Sequence, residues 1–449
     1  MIVMKFGGTS VESTEAIDRI AGIVWDRLGW RPVVVVSAMG KTTNRLLAVA
    51  GAAVAGQRGK ALGLLEELHT FHHKESLGLG VDDQVDAHFQ ELTELVKGLA
   101  VMGEMTPRAA DAVSAFGERL SSIIVAARFL GFGIDAAHLD SRSVVVTDRR
   151  HTQATPLFAE TYKRVRDTIP ALAAKQVVVM GGFIGSTEDG VTTTLGRGGS
   201  DYTASIVGAA IGAEEIQIWT DVDGMLTCDP TILPGAHRVK QCSFAEAAEL
   251  AYFGAKVLHP ATVLPAIEKN IPVRILNSRR PQVAGTLITA EAPRSTNPVR
   301  SIACKRNITL VNIVSTRMLM AHGFLRRIFE IFDRYETPVD MLATSEVSVS
   351  LTVDTTSSLA AITKEIREFA EVMVEEDQAI VCLVGDNIRH TPGVSSRAFT
   401  ALKDINVRMI SQGASLLNIS VVVAAGDLRG AVESLHLELF TNPDPAAFE

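Results

Sequence analysis

The chain has 449 residues, enough for about three domains at roughly 150 residues each, and its 47% hydrophobic and 21% charged residues match a globular protein with a large buried core. The net charge of −8, spread without a basic block, opposes a nucleic-acid partner, whose phosphate backbone such a surface would repel. No run reaches the ~20 apolar residues of a membrane helix, the start MIVMKFGGTS lacks a signal-peptide pattern, and Cys228, Cys242, Cys304 and Cys382 are scattered, so a reduced, cytoplasmic protein without membrane attachment, zinc or other protein-held metal is expected.

In chain order, β-branched runs at Ile2–Lys5, Pro32–Ser37, Val144–Thr147, Gln176–Met180, Ile216–Thr220 and Val273–Leu276 predict strands. Helical patterns such as Ala109–Phe129 and Tyr202–Ile211 lie between them. The continuous VVVV (33–36) and VVVM (177–180) predict strands buried on both faces, hence a mostly parallel sheet with helices on both sides. His72-His73, beside Lys74 in a polar helical stretch, reads as a solvated pair. Around Arg280–Arg300 three prolines and polar residues predict a domain boundary.

Beyond the boundary the order of elements repeats. Asn307–Ser315, Val339–Thr344, Ser348–Asp354 and Glu371–Glu375 read as strands, with helices at Gly323–Tyr335 and Ser357–Ala370. Gln378–Gly385, Val407–Gln412 and Leu417–Ala424 then read as strands, with helices at Ser395–Ile405 and Asp427–Leu439. This is a tandem of ferredoxin-like units, serving either as packing modules or as ligand sensors.

Five motifs carry chemistry. Lys5-Phe6-Gly7-Gly8-Thr9-Ser10 follows the opening strand, where two glycine N–H groups can nest an anion and Lys5 adds a cation. A strand followed by two glycines is equally a tight turn. VVVVSAMGKTT (33–43) looks like a P-loop, but five residues before Gly40 stands Val35, inside the strand, so that reading fails. The loop instead presents Ser37, Thr42, Thr43 and Asn44 to a small polar substrate. In TTTLGRGGSDYTA (192–204), Arg197 offers a planar fork for a carboxylate or phosphate. Gly198, Gly199 and Ser200 supply N–H groups at a helix start that Asp201 can cap. Trp219-Thr220-Asp221-Val222-Asp223-Gly224 ends a strand, the usual ligand position in α/β sheets. Phe253-Gly254-Ala255-Lys256-Val257 delivers a further lysine among apolar neighbours.

KFGGTS, GERLSS (117–122), TTTLGRGGSDYTA, WTDVDG (219–224) and FGAKVLHPAT (253–262), in this order and spacing, resemble the aspartate kinases of the amino-acid-kinase family over essentially the whole chain. The resemblance implies a carbamate-kinase-like three-layer α/β sandwich over 1–290. Two ferredoxin-like βαββαβ units of ACT type follow at 305–376 and 377–449, the second taking a strand from 299–305. It implies ATP with Mg²⁺ held at Lys5, Gly7, Gly8, Thr9, Thr220, Asp221, Lys256 and Val257. L-Aspartate is gripped by Thr43, Glu118, Arg197, Gly198, Gly199, Ser200 and Asp201, with Lys5, Arg197 and Asp201 as the catalytic group. Leu226 and Thr231 replace the tyrosine and arginine of many members. The repeat resembles lysine-sensitive members, implying an L-lysine site at Met318, Gly323, Phe324, Leu325, Val339, Asp340, Ser345 and Glu346, in a homo-oligomer paired through the ACT units. The physical case for lysine is that Asp340 and Glu346 both reach its ε-ammonium. Sister kinases acting on glutamate, acetylglutamate or a nucleotide, or a sensor with an inactive kinase domain, are the rival readings.

Overall fold

The computed structural model describes residues 1–254, 258, 260–315 and 322–449. Two compact units emerge: Met1–Met225 with Val257–Ala292, and Leu226–Lys256 with Pro293–Glu449. None of the described helices is long and apolar enough to cross a membrane.

In the first unit, numbering in chain order, the main-sheet strands are β1 (Ile2–Phe6), β2 (Pro32–Val36), β3 (Ala136–Leu139), β4 (Val177–Gly181), β7 (Glu215–Thr220), β9 (Val273–Asn277) and β10 (Thr286–Thr289). They run in the order β3-β4-β2-β1-β7-β9-β10. All neighbouring pairs are parallel except β9–β10. β5 (Ile184–Ser186) and β6 (Thr192–Thr194) form a separate hairpin. The helices are α1 (Thr14–Trp25), α2 (Thr42–Val54), α3 (Arg58–Ser76), α4 (Asp82–Met102), α5 (Pro107–Ser114), α6 (Phe116–Gly131), α7 (Phe158–Ala173), α8 (Gly199–Ile211) and the short α10 (Leu264–Glu268). Strand alternation sends Ile2, Met4, Phe6, Val34 and Val36 into one core with α1 to α6. Val3 and Lys5 face the other way, where α8 packs on β1 and β2.

Successive strands leave β1 in opposite directions, β2 and β4 to one side and β7 to the other. In such sheets ligands collect beyond the carboxyl ends of the strands at that reversal. All four strands end there in glycines, hydroxyls or carboxylates: Gly7-Gly8, Ser37, Gly181-Gly182 and Thr220-Asp221.

In the second unit, β8 (Gln241–Ser243) and α9 (Phe244–Tyr252) precede β11 (Ser301–Val314), β12 (Met341–Thr344), β13 (Ser348–Val353), β14 (Glu371–Val384), β15 (Met409–Gln412) and β16 (Asn418–Ala424). Helices α11 (Phe324–Arg334), α12 (Leu359–Ile366), α13 (Val394–Ala401) and α14 (Leu428–Phe440) complete it. One sheet in the order β12-β13-β11-β14-β16-β15 contains both repeats. The first half of β11 pairs with the second half of β14 (Ser301 opposite Val384), and its second half with the first half of β14 (Val314 opposite Glu371).

Three readings need correction. Val144–Thr147 is not a strand: it makes only isolated bridges, Val146 to Ser186 and Thr147 to Pro156. Of its amides only the Thr147 N–H reaches β5, donating to Ser186 O at 2.8 Å; the Val146 N–H is taken by Thr161 Oγ1 at 3.0 Å. A buried apolar run looks the same either way. Ala109–Phe129 is two helices, α5 and α6, broken at Ala115. His72 is fully buried, between Phe71 and Phe89, with Nδ1 bonded to the Leu68 carbonyl at 2.8 Å.

Candidate active site

β1 carries Lys5 to the carboxyl edge of the sheet, and alternation aims it at α8. There its ammonium meets the Asp201 carboxylate at 2.7 Å, both side chains nearly buried. α8 begins at Gly199, after Gly198 in the left-handed region (φ 72°). The Gly199 N–H is taken by the Gly196 carbonyl, while the next amides have no carbonyl four residues back within the helix. The positive end of α8 therefore opens beside a lysine, a natural place for an anion.

The loop after β2 is tied down on three sides. The Ser37 N–H donates to Phe6 O and the Gly40 N–H to Gly8 O, both at 3.0 Å; the Ser37 hydroxyl donates to Ser200 Oγ at 3.0 Å; and the Ala38 N–H donates to Glu118 Oε1 at 3.0 Å. Glu118, in the first turn of α6, is 3% exposed, and its Oε2 has no hydrogen-bond partner. Burial pushes its carboxyl from an ordinary 4.5 up to about 8, despite the Ala38 N–H bond pulling it down. It is a carboxyl short of a cation.

These groups surround one cavity of about 280 Å³, lined by Lys5, Ser37, Thr43, Glu118, Phe183, Gly196, Gly198, Gly199, Ser200 and Asp201. Of the sequence-derived residues, it brings together Lys5, Thr43, Glu118, Gly198, Gly199, Ser200 and Asp201. Arg197 does not line it; the side chain is exposed on the turn before α8. Gly7 and Gly8 sit beneath, Gly7 donating to Trp219 O at 3.1 Å, and Thr9 lies exposed beyond them.

Sequence reasoning assigned no role to Phe183, whose φ of 66° is unusual for a bulky residue. The Thr203 hydroxyl, accepting from its N–H at 3.0 Å, pins it against α8. The flanking Gly182 is obligatory: a Cβ there would stand 2.6 Å from Ser200 Cβ. Asp111 was also missed. It is buried and accepts from His151 Nδ1 at 2.7 Å and from Thr194 Oγ1 at 2.6 Å, anchoring the hairpin that leads into the Gly196 turn.

At the end of β7, Thr220 and Asp221 are joined by a 3.2 Å hydrogen bond. Asn277 Nδ2 donates to Asp223 Oδ1 at 2.7 Å, Arg280 pairs with Asp223, and Ser278 meets Ser10 at 2.7 Å. These partners lie far off in sequence and carried no motif. Lys256 and Val257 lie outside the described residues. In the second unit Leu226 O accepts from Ser301 Oγ at 2.7 Å, and Thr231 Oγ1 donates to Asp229 at 2.7 Å.

Of the effector residues, Met318 lies outside the described residues. Gly323 (φ 85°) precedes α11, whose first residues are Phe324 and Leu325. Val339 packs on the core of the first repeat. Asp340 lies just before β12, and Ser345 and Glu346 lie in the turn after it, so the whole of β12, about 13 Å at the usual strand rise, separates the two acidic residues. They do not converge on one ammonium, as the sequence had suggested. Asp340 is instead paired with Lys305 at 2.6 Å, while Glu346 is exposed.

An anion-binding helix start, a buried lysine and a parallel sheet with its cavity at the strand reversal define a phosphoryl-transfer type of site on an α/β kinase scaffold. The sequence pattern of the Amino acid kinase family matches residues 1–277, and that of the ACT domain matches residues 381–439. Aspartokinase 1, chloroplastic, of Arabidopsis thaliana is 42% identical, with 98% of this chain and 80% of that protein covered. The lysine-sensitive aspartokinase 3 of Escherichia coli is 37% identical over 98% of this chain and 99% of its own. The crystal structure of E. coli aspartokinase III with aspartate and ADP (R-state) superposes with a TM-score of 0.85 at 36% identity, covering 98% of this chain and 100% of the other. The T-state with lysine and aspartate gives 0.84, at the same 36% identity, over 98% and 99%. The chain belongs to the amino acid kinase family, and within it to the aspartokinases.

Proposed function

We propose that the chain is an aspartate kinase, converting ATP and L-aspartate to ADP and 4-phospho-L-aspartate, the first step toward the aspartate-derived amino acids lysine, threonine and methionine. The carrying observation is the single cavity lined both by Lys5, Asp201, Ser200 and the start of α8 and by the cation-starved Glu118. A nucleotide's phosphates suit the first group and an amino acid's ammonium the second.

The β-carboxylate of aspartate, with a reference pKa of ~3.9, is ionised at neutral pH, so no general base is required. One of its oxygens attacks the γ-phosphorus, the bond to the β,γ-bridging oxygen breaks, and ADP leaves. The task is to hold two anions in line. Glu118 takes the ammonium, Thr43 and Ser200 bond the amino acid, and Arg197 swings from solvent onto a carboxylate. Lys5 and Lys256 neutralise the phosphates, which the side-chain-poor Gly7-Gly8 turn and Thr9 let approach; Asp201 holds Lys5 in place. Thr220 and Asp221 are assigned to the nucleoside, as is Val257.

Mg²⁺ fits as a nucleotide-borne ion. It is commonly bound by one or two carboxylates plus substrate phosphates, the carboxylate lining the phosphate end here is Asp201, and the described residues contain no cluster of three or more metal-ligating side chains. When bound it would supply further charge neutralisation.

We assign residues 1–290 to catalysis and 305–376 and 377–449 to ACT units, with L-lysine as feedback inhibitor, supported by Asp340 and by the α11 start after Gly323 for the amine and carboxylate ends of an amino acid. A homo-oligomer through these units has support in the exposed Leu342 and Ile410 on the outer strands β12 and β15. A reducing cytoplasm suits the free thiols of Cys228, Cys242, Cys304 and Cys382. The test is ATP- and Mg²⁺-dependent hydroxamate formation from L-aspartate, with and without L-lysine. Activity on aspartate that L-lysine suppresses is expected; activity only on glutamate or acetylglutamate overturns the reading.

A further inference from the structure

β11 places Lys305 at the middle of its length, where the pairing with β14 slips between Lys305 and Ile308. Such an irregularity re-aims a side chain out of the regular ladder. The Lys305 ammonium lies 2.6 Å from Asp340 Oδ1 and 2.8 Å from Asp354 Oδ2, at the base of the β12–β13 hairpin, and 5.6 Å from the centre of the Tyr252 ring. The Asp340 side chain is 5% exposed; besides Lys305 it has the Tyr252 hydroxyl as a polar neighbour, and its Oδ2 accepts no well-formed hydrogen bond. Two carboxylates facing one cation leave a net charge of about −1 and spare acceptor capacity. Burial raises the Asp340 carboxyl in spite of Lys305, so the compensation is incomplete.

We propose that Lys305 is an internal occupant of an ammonium site, its Nζ filling in the effector-free chain the place that an amino-acid effector's primary ammonium takes at Asp340 and Asp354. This rests on the reading of Asp340 as an effector contact. Occupant and ligand offer the same group, so binding is an exchange. The intrinsic dissociation constant is then divided by the small fraction of chains with Lys305 unseated, which sets the effector concentration at which the site responds. The exchange has a mechanical outlet. Tyr252 ends α9, and Gly254 (φ +116°) lies so tightly on β11 that a Cβ there would be 2.1 Å from the carbonyl oxygen of Cys304, the residue before Lys305. The Tyr252–Gly254 segment therefore lies directly against the strand that carries Lys305.

The test compares the full-length wild type with Lys305→Ala, using calorimetric titration of L-lysine and thermal unfolding with n-butylammonium. The expected result is L-lysine binding at least ~10-fold tighter in the variant. In addition, n-butylammonium should raise the melting temperature of the variant but not of the wild type, an effect that Asp340→Asn in the same background removes. If Lys305→Ala folds poorly, its amine-dependent recovery of stability is the expected sign. Unchanged affinity together with no amine-dependent stabilisation overturns the proposal. A wild type whose kinase activity ignores L-lysine overturns the effector reading alone, because the n-butylammonium arm does not depend on it.

Discussion

Lys5 and Glu118 line one cavity and fail in different ways when changed. Lys5→Ala removes the cation beside the transferring phosphoryl group, so kcat should fall about 10²- to 10³-fold with little change in KM for aspartate. Steady-state kinetics at saturating ATP would check it, and a near-normal kcat would remove Lys5 from the mechanism. Glu118 is held for its ligand at a cost to the fold. Its folded pKa of about 8 lies above the ordinary 4.5, so the carboxyl's stability contribution is complete below pH 4.5 and is lost as pH rises toward 8, reaching about 3 kcal/mol by pH 7. Glu118→Gln should therefore melt higher than wild type at pH 8 while losing most aspartate affinity. The ligand's ammonium should also ionise the carboxyl, so aspartate binding at pH 7 should release a proton. Calorimetry in buffers of different ionisation enthalpy would show that release in the wild type and its loss in Glu118→Gln.

Among elements, α8 is the most sensitive, because its N-terminus is both a scaffold and a ligand group. Gly182→Ala would drive a methyl into Ser200, displacing the helix start. The expected outcome is about 1–3 kcal/mol of lost stability and loss of most activity with the circular dichroism spectrum retained. Buried parallel strands were legible because their apolar runs have no other home, and the helix start at 198–201 because glycines and a capping carboxylate announce it. Ala136–Leu139 was not legible: AAHL lacks β-branched residues and gains its strand geometry only from pairing with β4. Val144–Thr147 shows the converse, strand-like composition that forms only isolated bridges and no ladder. Cavity residues tied to a motif were readable; Phe183, Asp111 and Ser278 act through contacts with residues 20 to 268 positions away, which local patterns do not record. Asp340 and Glu346 could be paired on paper only while the strand between them had no length.

At the scale of the molecule, two buried groups in the catalytic unit tilt stability in opposite directions with pH. Burial lowers His72 to about 4 from 6.5, so its contribution is complete above pH 6.5 and is lost as pH falls toward 4, by up to about 3 kcal/mol. Glu118 tilts the other way between 4.5 and 8. Their slopes nearly cancel from about pH 4.5 to 6.5. In denaturant titrations over that window, His72→Gln should leave stability falling with rising pH, and Glu118→Gln should leave it rising. The regulatory sheet has a different consequence. β11 and β14 each serve both repeats, and a cut between residues 376 and 377 would pass through the middle of β14 (Glu371–Val384). Neither repeat is a transplantable cassette: a gene fusion or truncation that borrows one of them inherits a torn sheet with two bare edges. The sensor is heritable and engineerable only whole.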